Sequence, residues 1–351
     1  MQRRAVDEAT LPILSLVEAQ DAVPRRIGNN PPPPPHSPTK AVPDGLLEPV
    51  PAEIAERNER QADELVEAMK SRIGAPFYSA HGFVLYKADC LDVLAALEST
   101  RRVVDLTVTS PPYNIGKDYE TPLPLDGYLD WAAKWLRAIH AVTASNGALW
   151  LNLGYVEVPG SGRAVPLPYL LWNRSPFFLQ QEVVWNYGAG VASKRLFSPR
   201  NEKWLFLTRS PDEYVFNLDL VRDPNVKYPH QKKNGKFRCN PLGKNPSDVW
   251  QIPKVTTGKD RSSKERTAHP AQFPLALVDR IVKVSSNPSN VVFDPFTGSG
   301  SSGLAAIGSG RTFVGVELRD DYCSMTVRRV EDYVKLRRHA QSQQSLHPPR
   351  G

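Results

Sequence analysis

Cysteine is scarce in this chain. Cys90, Cys239 and Cys323 are the three among 351 residues, widely separated, with no CxxC spacing and no histidine cluster beside them. That pattern excludes a disulfide framework and gives a zinc site no ligands, so no metal is expected. Long apolar runs are missing as well. The longest, such as "VVDLTV" and "RIVKV", fall far short of the ~18 residues a membrane span needs, so no membrane association is expected. The first residues, "MQRRAVDEATLPILSLVEAQ", have a basic start but a short, acid-interrupted apolar part, unlike a secretory signal. The expected location is cytoplasmic.

What is present is an ordinary globular composition, 40% hydrophobic and 23% charged, with an excess of proline, 33 residues. The prolines are concentrated. Residues 1–50 lack an apolar period and include "PPPPPHSPTK" at 31–40, a polyproline-type tract unable to pack a core, and are expected to be disordered. Residues 51–82 form a helical segment. Within it, 52–73 follow Pro51 and set Ala62, Leu65, Val66, Met69 and Ile73 on one stripe, the pattern of an amphipathic helix packing on the rest of the chain or on a partner.

The net charge of +7 is uneven. Residues 222–268 hold twelve Lys/Arg against four Asp/Glu, a net +8, so the remainder carries −1. Tyr228, Phe237 and Trp250 are interleaved with these cations. A basic run is commonly a solvated face, but this concentration in a loop-rich segment also suits a groove for a polyanion.

From residue 83 onward, short apolar runs alternate with helical patterns. "FVLYKAD", "VVDLTVTS", "GALWLNLG", "EVVWNYG", "KWLFLTR", "VVFDP" and "RTFVGVEL" read as strands; "GYLDWAAKWLRAIHAV", "PAQFPLALVDRIVKV" and "SSGLAAIGSG" read as helices. Unbroken apolar runs imply strands covered on both faces. The expected fold class is α/β: a doubly wound, mostly parallel sheet with helices on both faces.

Two motifs carry chemistry. "VVDLTVTSPPYNIGKDYE" (103–120) is an apolar run that halts at Ser110-Pro111-Pro112-Tyr113. Proline ends strands because it cannot donate to a ladder, and an aromatic often packs beside such a stop, which explains the prolines but not the companions further along the chain. About 180 residues later, "VVFDPFTGSGSSGLAAIGSGRTFVGVEL" (291–318) gives a strand ending at Asp294, a loop with Gly298 and Gly300, a helix, and a second strand ending at Glu317. Glycines admit a ligand close to the backbone, the helix start favours an electronegative group, and an acid closing the next strand is placed to accept ribose hydroxyls. "GSGSSG" at 298–303 fits the dinucleotide fingerprint. The acid and aromatic in front of its first glycine suit a cationic amino-acid-bearing ligand better than a pyrophosphate.

With these motifs the sequence resembles the DNA amino-methyltransferases that use S-adenosyl-L-methionine, whose hallmarks are a [DNS]-P-P-[YFW] tetrapeptide at a strand end and a D-P-F-x-G-S-G loop. The tetrapeptide comes first and the basic segment lies between, as in the permuted beta group. "HPAQFP" at 269–274 resembles that group's "HPTQKP" element, with Phe273 where lysine is common. The resemblance covers about 83–335. It implies a Rossmann-like methyltransferase domain with a catalytic half at 83–209, a target-recognition region at 210–268, a cofactor-binding half at 269–338 and a flexible tail at 339–351.

The resemblance also implies roles. The exocyclic amine of a base is a poor nucleophile until acceptors engage its N–H groups; Ser110 Oγ and the Pro111 carbonyl are the implied acceptors, Pro112 stiffens the turn, and Tyr113 is the stacking face for a base flipped out of duplex DNA. Asn114 either orients the base or is a turn residue before Gly116. Asp294, Phe296, Gly298 and Gly300 go to the methionine side of S-adenosylmethionine, Glu317 to its ribose and Asp89 to its adenine amine, with helix capping as the other reading of Asp89. Asp92 is a helix-start acid. His269 and Gln272 close the cofactor pocket, with a structural histidine as the other reading of His269. Within the family, serine at the first motif position accompanies cytosine N4 and aspartate accompanies adenine N6, so cytosine N4 is expected and adenine N6 is the alternative. A thiolate mechanism is excluded, because no cysteine lies in the strand-end motif. A protein-glutamine methyltransferase would begin its tetrapeptide with Asn and put the cofactor loop first, and a non-catalytic DNA-binding module would have lost Asp294, Glu317 or the tetrapeptide. A homodimer and a cognate restriction endonuclease are the partners the resemblance allows besides DNA.

Overall fold

The structure, a computed structural model, describes residues 42, 44–101, 103–118, 120–188, 192, 194–255 and 265–346. The proline tract and most of the N-terminal extension lie outside them. In chain order the first half contains α1 (Asp44–Leu47), α2 (Ala52–Ile73), β1 (Tyr78–Ala80), β2 (Phe83–Lys87), α3 (Cys90–Ser99), β3 (Val104–Thr109), α4 (Leu125–Val142), β4 (Thr143–Leu153), β5 (Tyr155–Val158), β6 (Gly162–Pro166) and α5 (Leu167–Leu171). The second half contains β7 (Phe178–Asn186), β8 (Asn201–Thr208), β9 (Lys232–Lys233), β10 (Lys236–Phe237), β11 (Val249–Gln251), α6 (Leu275–Ser285), β12 (Val291–Asp294), α7 (Ser301–Gly308), β13 (Thr312–Glu317) and α8 (Asp320–Leu346).

The central sheet of the described residues has nine strands in the order β1-β2-β13-β12-β3-β4-β8-β7-β11. Strands β2, β13, β12, β3 and β4 run parallel, β8 is antiparallel to both its neighbours, and β1 is antiparallel to β2. The unbroken apolar runs follow from burial on both faces. In β2, Val84 and Tyr86 enter one hydrophobic cluster with α2, α3 and α4, while Phe83 and Leu85 enter the other with α1, α6, α7 and α8, as the two-residue pleat requires. The doubly wound α/β class expected from the sequence is the class observed.

The striped helix is α2, which buries Ala62, Leu65 and Met69 against this domain. Two expected boundaries move. The disordered extension was drawn to residue 50, yet α1 is packed: Leu46 is fully buried and its carbonyl accepts a 2.5 Å hydrogen bond from Tyr333. The flexible tail was drawn from 339, yet α8 continues to Leu346. Its buried residues Cys323, Thr326, Val330 and Tyr333 sit among so many polar ones that no apolar stripe announces the helix. Within the expected recognition region, β11 adds a strand parallel to β7, Trp250 opposite Trp185.

What matters for the site is the middle of the sheet. From β3 the chain proceeds to β4 on one side, and from β12 to β13 on the other. Adjacent strands β3 and β12 therefore flank a topological switch point, where open α/β sheets form ligand crevices at their carboxyl ends. Both sequence motifs begin there.

Candidate active site

Register puts Leu106 beside Val292 and Thr107 beside Phe293, so Asp294 falls level with Val108 and the two motifs leave the sheet at neighbouring strand ends. Thr109 closes the join, its hydroxyl donating to Asp294 Oδ1 at 2.7 Å. A cavity of about 440 Å³ opens above the two strand ends. Ser110, Pro111, Pro112, Tyr113, Asp89, Gln272, Asp294, Phe296, Gly298 and Glu317 all line it. Gly300 does not; it stands behind the loop as the left-handed N-cap of α7, φ 76°.

The hydroxyl geometry at the tetrapeptide follows from one amide. Asn152 Nδ2 donates to the Lys203 carbonyl at 3.1 Å, which turns Oδ1 toward Tyr113. An amide oxygen only accepts, so the Tyr113 hydroxyl donates to it, at 2.5 Å. The Tyr113 oxygen in turn accepts the Ser110 hydroxyl at 3.0 Å. Ser110 thus has its proton committed and presents lone pairs to the cavity. Tyr113 can reach this position because its ring lies against Gly154, where a Cβ would stand 2.8 Å from Tyr113 Cε2.

Two further residues shape this segment. Tyr128 of α4, buried, donates to the Pro112 carbonyl at 2.7 Å. Glu120 accepts the N–H groups of Asn114, Ile115 and Lys117 at 2.8–3.1 Å. Asn114, φ 63°, clasps the backbone of Leu123 through both ends of its amide, which makes it a loop residue.

On the β12 side, Asp294 is 3% exposed and accepts from Thr109, from the Phe296 N–H at 3.0 Å and from Ser302. Burial lifts its pKa to about 6 against the pull of those bonds. Phe296 meets Trp131 and Trp135 of α4, ring centroids 5.7 and 5.5 Å apart. Gly298 has φ 52°, and a Cβ there would lie 2.9 Å from His269 Nε2, so only glycine lets the loop pass under that ring. Glu317, its carboxyl raised by burial, accepts the N–H groups of Gly298 at 3.0 Å and Arg319 at 2.9 Å. From α8, Thr326 donates to the Gly298 carbonyl and Arg329 to the Ser299 carbonyl.

Asp89 is the N-cap of α3, accepting from the Leu91 N–H at 2.8 Å, and it also borders the cavity. Asp92 lies in the first turn of α3. Gln272 is buried with its amide committed, accepting from Thr267 and donating to the Glu265 carbonyl at 2.6 Å. It fastens the segment that carries His269, whose ring stands 4.5 Å from that of Tyr322. Burial, aided by the Arg329 guanidinium, holds the His269 pKa down to about 4. Phe273, where lysine is common, packs between Trp204 and Trp185, 5.1 and 6.2 Å away; an apolar ring suits that surrounding. Sequence reasoning missed Trp131, Asn152, Trp185, Glu202 and Lys254, all of which line the cavity.

A family model described as a DNA methylase, of the N6/N4 type, matches residues 104–328, more than half of the chain. The chain belongs to this family. It is a DNA amino-methyltransferase. It is 55% identical to the type II methyltransferase M.ScaI of Streptomyces caespitosus over 269 residues, covering 77% of this chain and 88% of that protein. It is 32% identical to the DNA adenine methyltransferase YhdJ of Escherichia coli K12 over 250 residues, 68% of this chain and 81% of that protein. Among solved structures, the cytosine-N4-specific PvuII DNA methyltransferase superposes with a TM-score of 0.57 at 17% identity, covering 76% of this chain and 94% of that one, a likeness of fold. Among the described residues of this methyltransferase no helix is long and apolar enough to cross a membrane.

Proposed function

We propose that this methyltransferase transfers a methyl group from S-adenosyl-L-methionine to the exocyclic N4 amine of a cytosine flipped out of duplex DNA. The observation that carries the reading is the Ser110–Tyr113–Asn152 chain. Because the Ser110 proton is committed to Tyr113, its oxygen acts as an acceptor, which is what an amine must meet if its lone pair is to leave conjugation with the ring. Ser110 Oγ takes one N–H of the target amine and the Pro111 carbonyl takes the other. Both are held at a strand end before any substrate arrives, so no reorganisation is needed at reaction.

The cavity fits the methyl donor. Gly298 brings backbone to its floor without a side chain, Glu317 offers a carboxylate for ribose hydroxyls, Asp89 one for an adenine amine, and Phe296 and Trp131 supply apolar faces. When bound, S-adenosylmethionine supplies an electrophilic methyl on a sulfonium. Asp294 acts chiefly through the loop, since Thr109, Ser302 and Phe296 occupy its carboxylate.

For the polyanion, the β9–β10 hairpin exposes Lys232, Lys233 and Lys236 around a turn at Asn234 and Gly235, both at positive φ. Its lysines are placed for phosphate contacts, which position a duplex without reading it. One observation favours adenine N6 as the second reading, the similarity to a named adenine methyltransferase. The test is direct: incubate the protein with DNA and S-adenosylmethionine, digest to nucleosides and identify the product by mass spectrometry. N4-methylcytosine is expected; N6-methyladenine overturns the base, and no methylated nucleoside overturns the reaction.

A further inference from the structure

One wall of the cavity has no part in the reading so far. It lies beyond Asn152 and consists of Trp185 near the end of β7, Glu202 at the start of β8 and Lys254 three residues after β11. The sheet register orders them outward from the catalytic serine. Thr109 faces Leu151, Asn152 faces Trp204, Glu202 faces Trp185, and Trp185 faces Trp250. The wall is therefore continuous with the strand end that carries Ser110.

Its centre is a charged pair. Lys254 Nζ donates to Glu202 Oε1 at 2.6 Å, and the side chains retain only 21% and 17% of their exposure. The same ammonium lies 3.8 Å from the Tyr187 ring centroid and 5.5 Å from that of Trp185. A lysine and a glutamate partly withdrawn from water are a poor way to strengthen a fold, because desolvation offsets much of their attraction and an apolar pair would serve as well. An ammonium has three N–H donors. One goes to Glu202, the Tyr187 face covers another side, and the residue still borders the cavity.

Cytosine carries its amine at C4 and a carbonyl at C2, on one edge with the ring nitrogen between them. With the amine at Ser110, the carbonyl projects away from the serine toward a neighbouring wall. Adenine presents a C–H at the equivalent place. We infer that Lys254, held by Glu202, donates a hydrogen bond to the C2 carbonyl of the flipped cytosine and so selects cytosine over adenine. This rests on the cytosine-N4 reading above and adds the residues that distinguish the base. Glu202 is a positioning residue: it aims the ammonium and balances its charge, so that a neutral base is gripped without a net charge in the pocket.

The test is a cycle of two changes on a duplex with one target site. Lys254→Met keeps the aliphatic stem and removes the donors; Lys254→Leu, also without a donor, is the second variant should the first not fold. The target cytosine is replaced by a 2-aminopyridine C-nucleoside, which keeps the amine and the ring nitrogen and lacks the carbonyl. Each change alone is expected to lower kcat/KM by about 10- to 100-fold, the worth of a charge-assisted hydrogen bond. Together they are expected to cost little more than either one, and Glu202→Gln to lose part of the same preference. Thermal stability and S-adenosylmethionine binding of the variants serve as folding controls. If the two losses multiply, Lys254 is a strut or a phosphate contact and the inference is overturned. If the wild-type protein forms no N4-methylcytosine, the cytosine reading falls and the assignment of Lys254 falls with it. N4-methylcytosine from the wild type with multiplying losses removes Lys254 alone.

Discussion

Thr109 and Asp294, 185 residues apart in sequence, are joined by a 2.7 Å hydrogen bond at the ends of adjacent strands. Thr109 immediately precedes the serine of the tetrapeptide, and Asp294 opens the glycine-rich loop. The bond ties the strand that carries the tetrapeptide to the strand that carries the glycine-rich loop, at the end of the sheet where the cavity opens. Both partners are buried, so neither can exchange the contact for water without cost.

Replacing Ser110 or Asn152 by Ala separates acceptance from binding. Ser110→Ala removes the acceptor and is expected to lower kcat by at least about 100-fold, the usual scale for one preorganised group. Asn152→Ala leaves Ser110 in place but removes the amide oxygen that accepts the Tyr113 hydroxyl, and a loss of about 10-fold in kcat is expected. S-adenosylmethionine affinity, read by calorimetry, should be unchanged in both. Wild-type turnover in Ser110→Ala would remove the serine from the mechanism.

Gly298→Ala sets a Cβ 2.9 Å from His269 Nε2 at φ 52°. The left-handed conformation alone costs about 1 kcal/mol for a residue with a side chain, and the ring above must shift. Weakened cofactor binding, with a thermal midpoint lowered by a few degrees, is the expected result in titration calorimetry and a melting scan.

Stability should depend on pH through His269. Its folded pKa is held near 4, while an unfolded histidine titrates near about 6.5. Between these values the unfolded chain binds more protons, so stability is fully present above about pH 6.5 and is lost as pH falls toward 4. His269→Gln cannot take up that proton. The stability difference between wild type and variant, followed by denaturant titration, should shift against the wild type over this window and stay level above it.

The hairpin lysines predict a salt signature. Releasing counterions gives a slope of about −0.9 in log K against log salt for each phosphate neutralised on duplex DNA. Replacing Lys232, Lys233 and Lys236 together by Ala should flatten that slope by up to about 2.7 if each meets one phosphate, with kcat at saturating DNA retained. An unaltered slope would place the duplex elsewhere.

Much of this was legible from short stretches. The tetrapeptide and the D-P-F-x-G-S-G loop declare themselves because proline and glycine act on their own backbone, and unbroken runs such as "FVLY" announced strands buried on both faces. The far wall did not. Trp185, Glu202 and Lys254 come from three separate strand ends, and only the order β8-β7-β11 brings them together. Asn152 was hidden differently: nothing marks it inside the apolar strand "GALWLNLG", and its significance depends on the Lys203 carbonyl that turns its amide. Asp89 shows the reverse limit, where a capping bond and a place in the cavity leave the same mark in sequence.

Strand β11 also bears on how such enzymes can be re-engineered. The basic region does not hang from the domain as a detachable module; it re-enters the central sheet at Val249–Gln251 and the chain continues three residues to Lys254. A chimaera that exchanged the whole region with that of a relative would strip away an edge strand and a side of the cavity together. Splice points placed after Thr208 and before Val249 would let a new segment be installed while the recipient chain keeps its nine-stranded sheet.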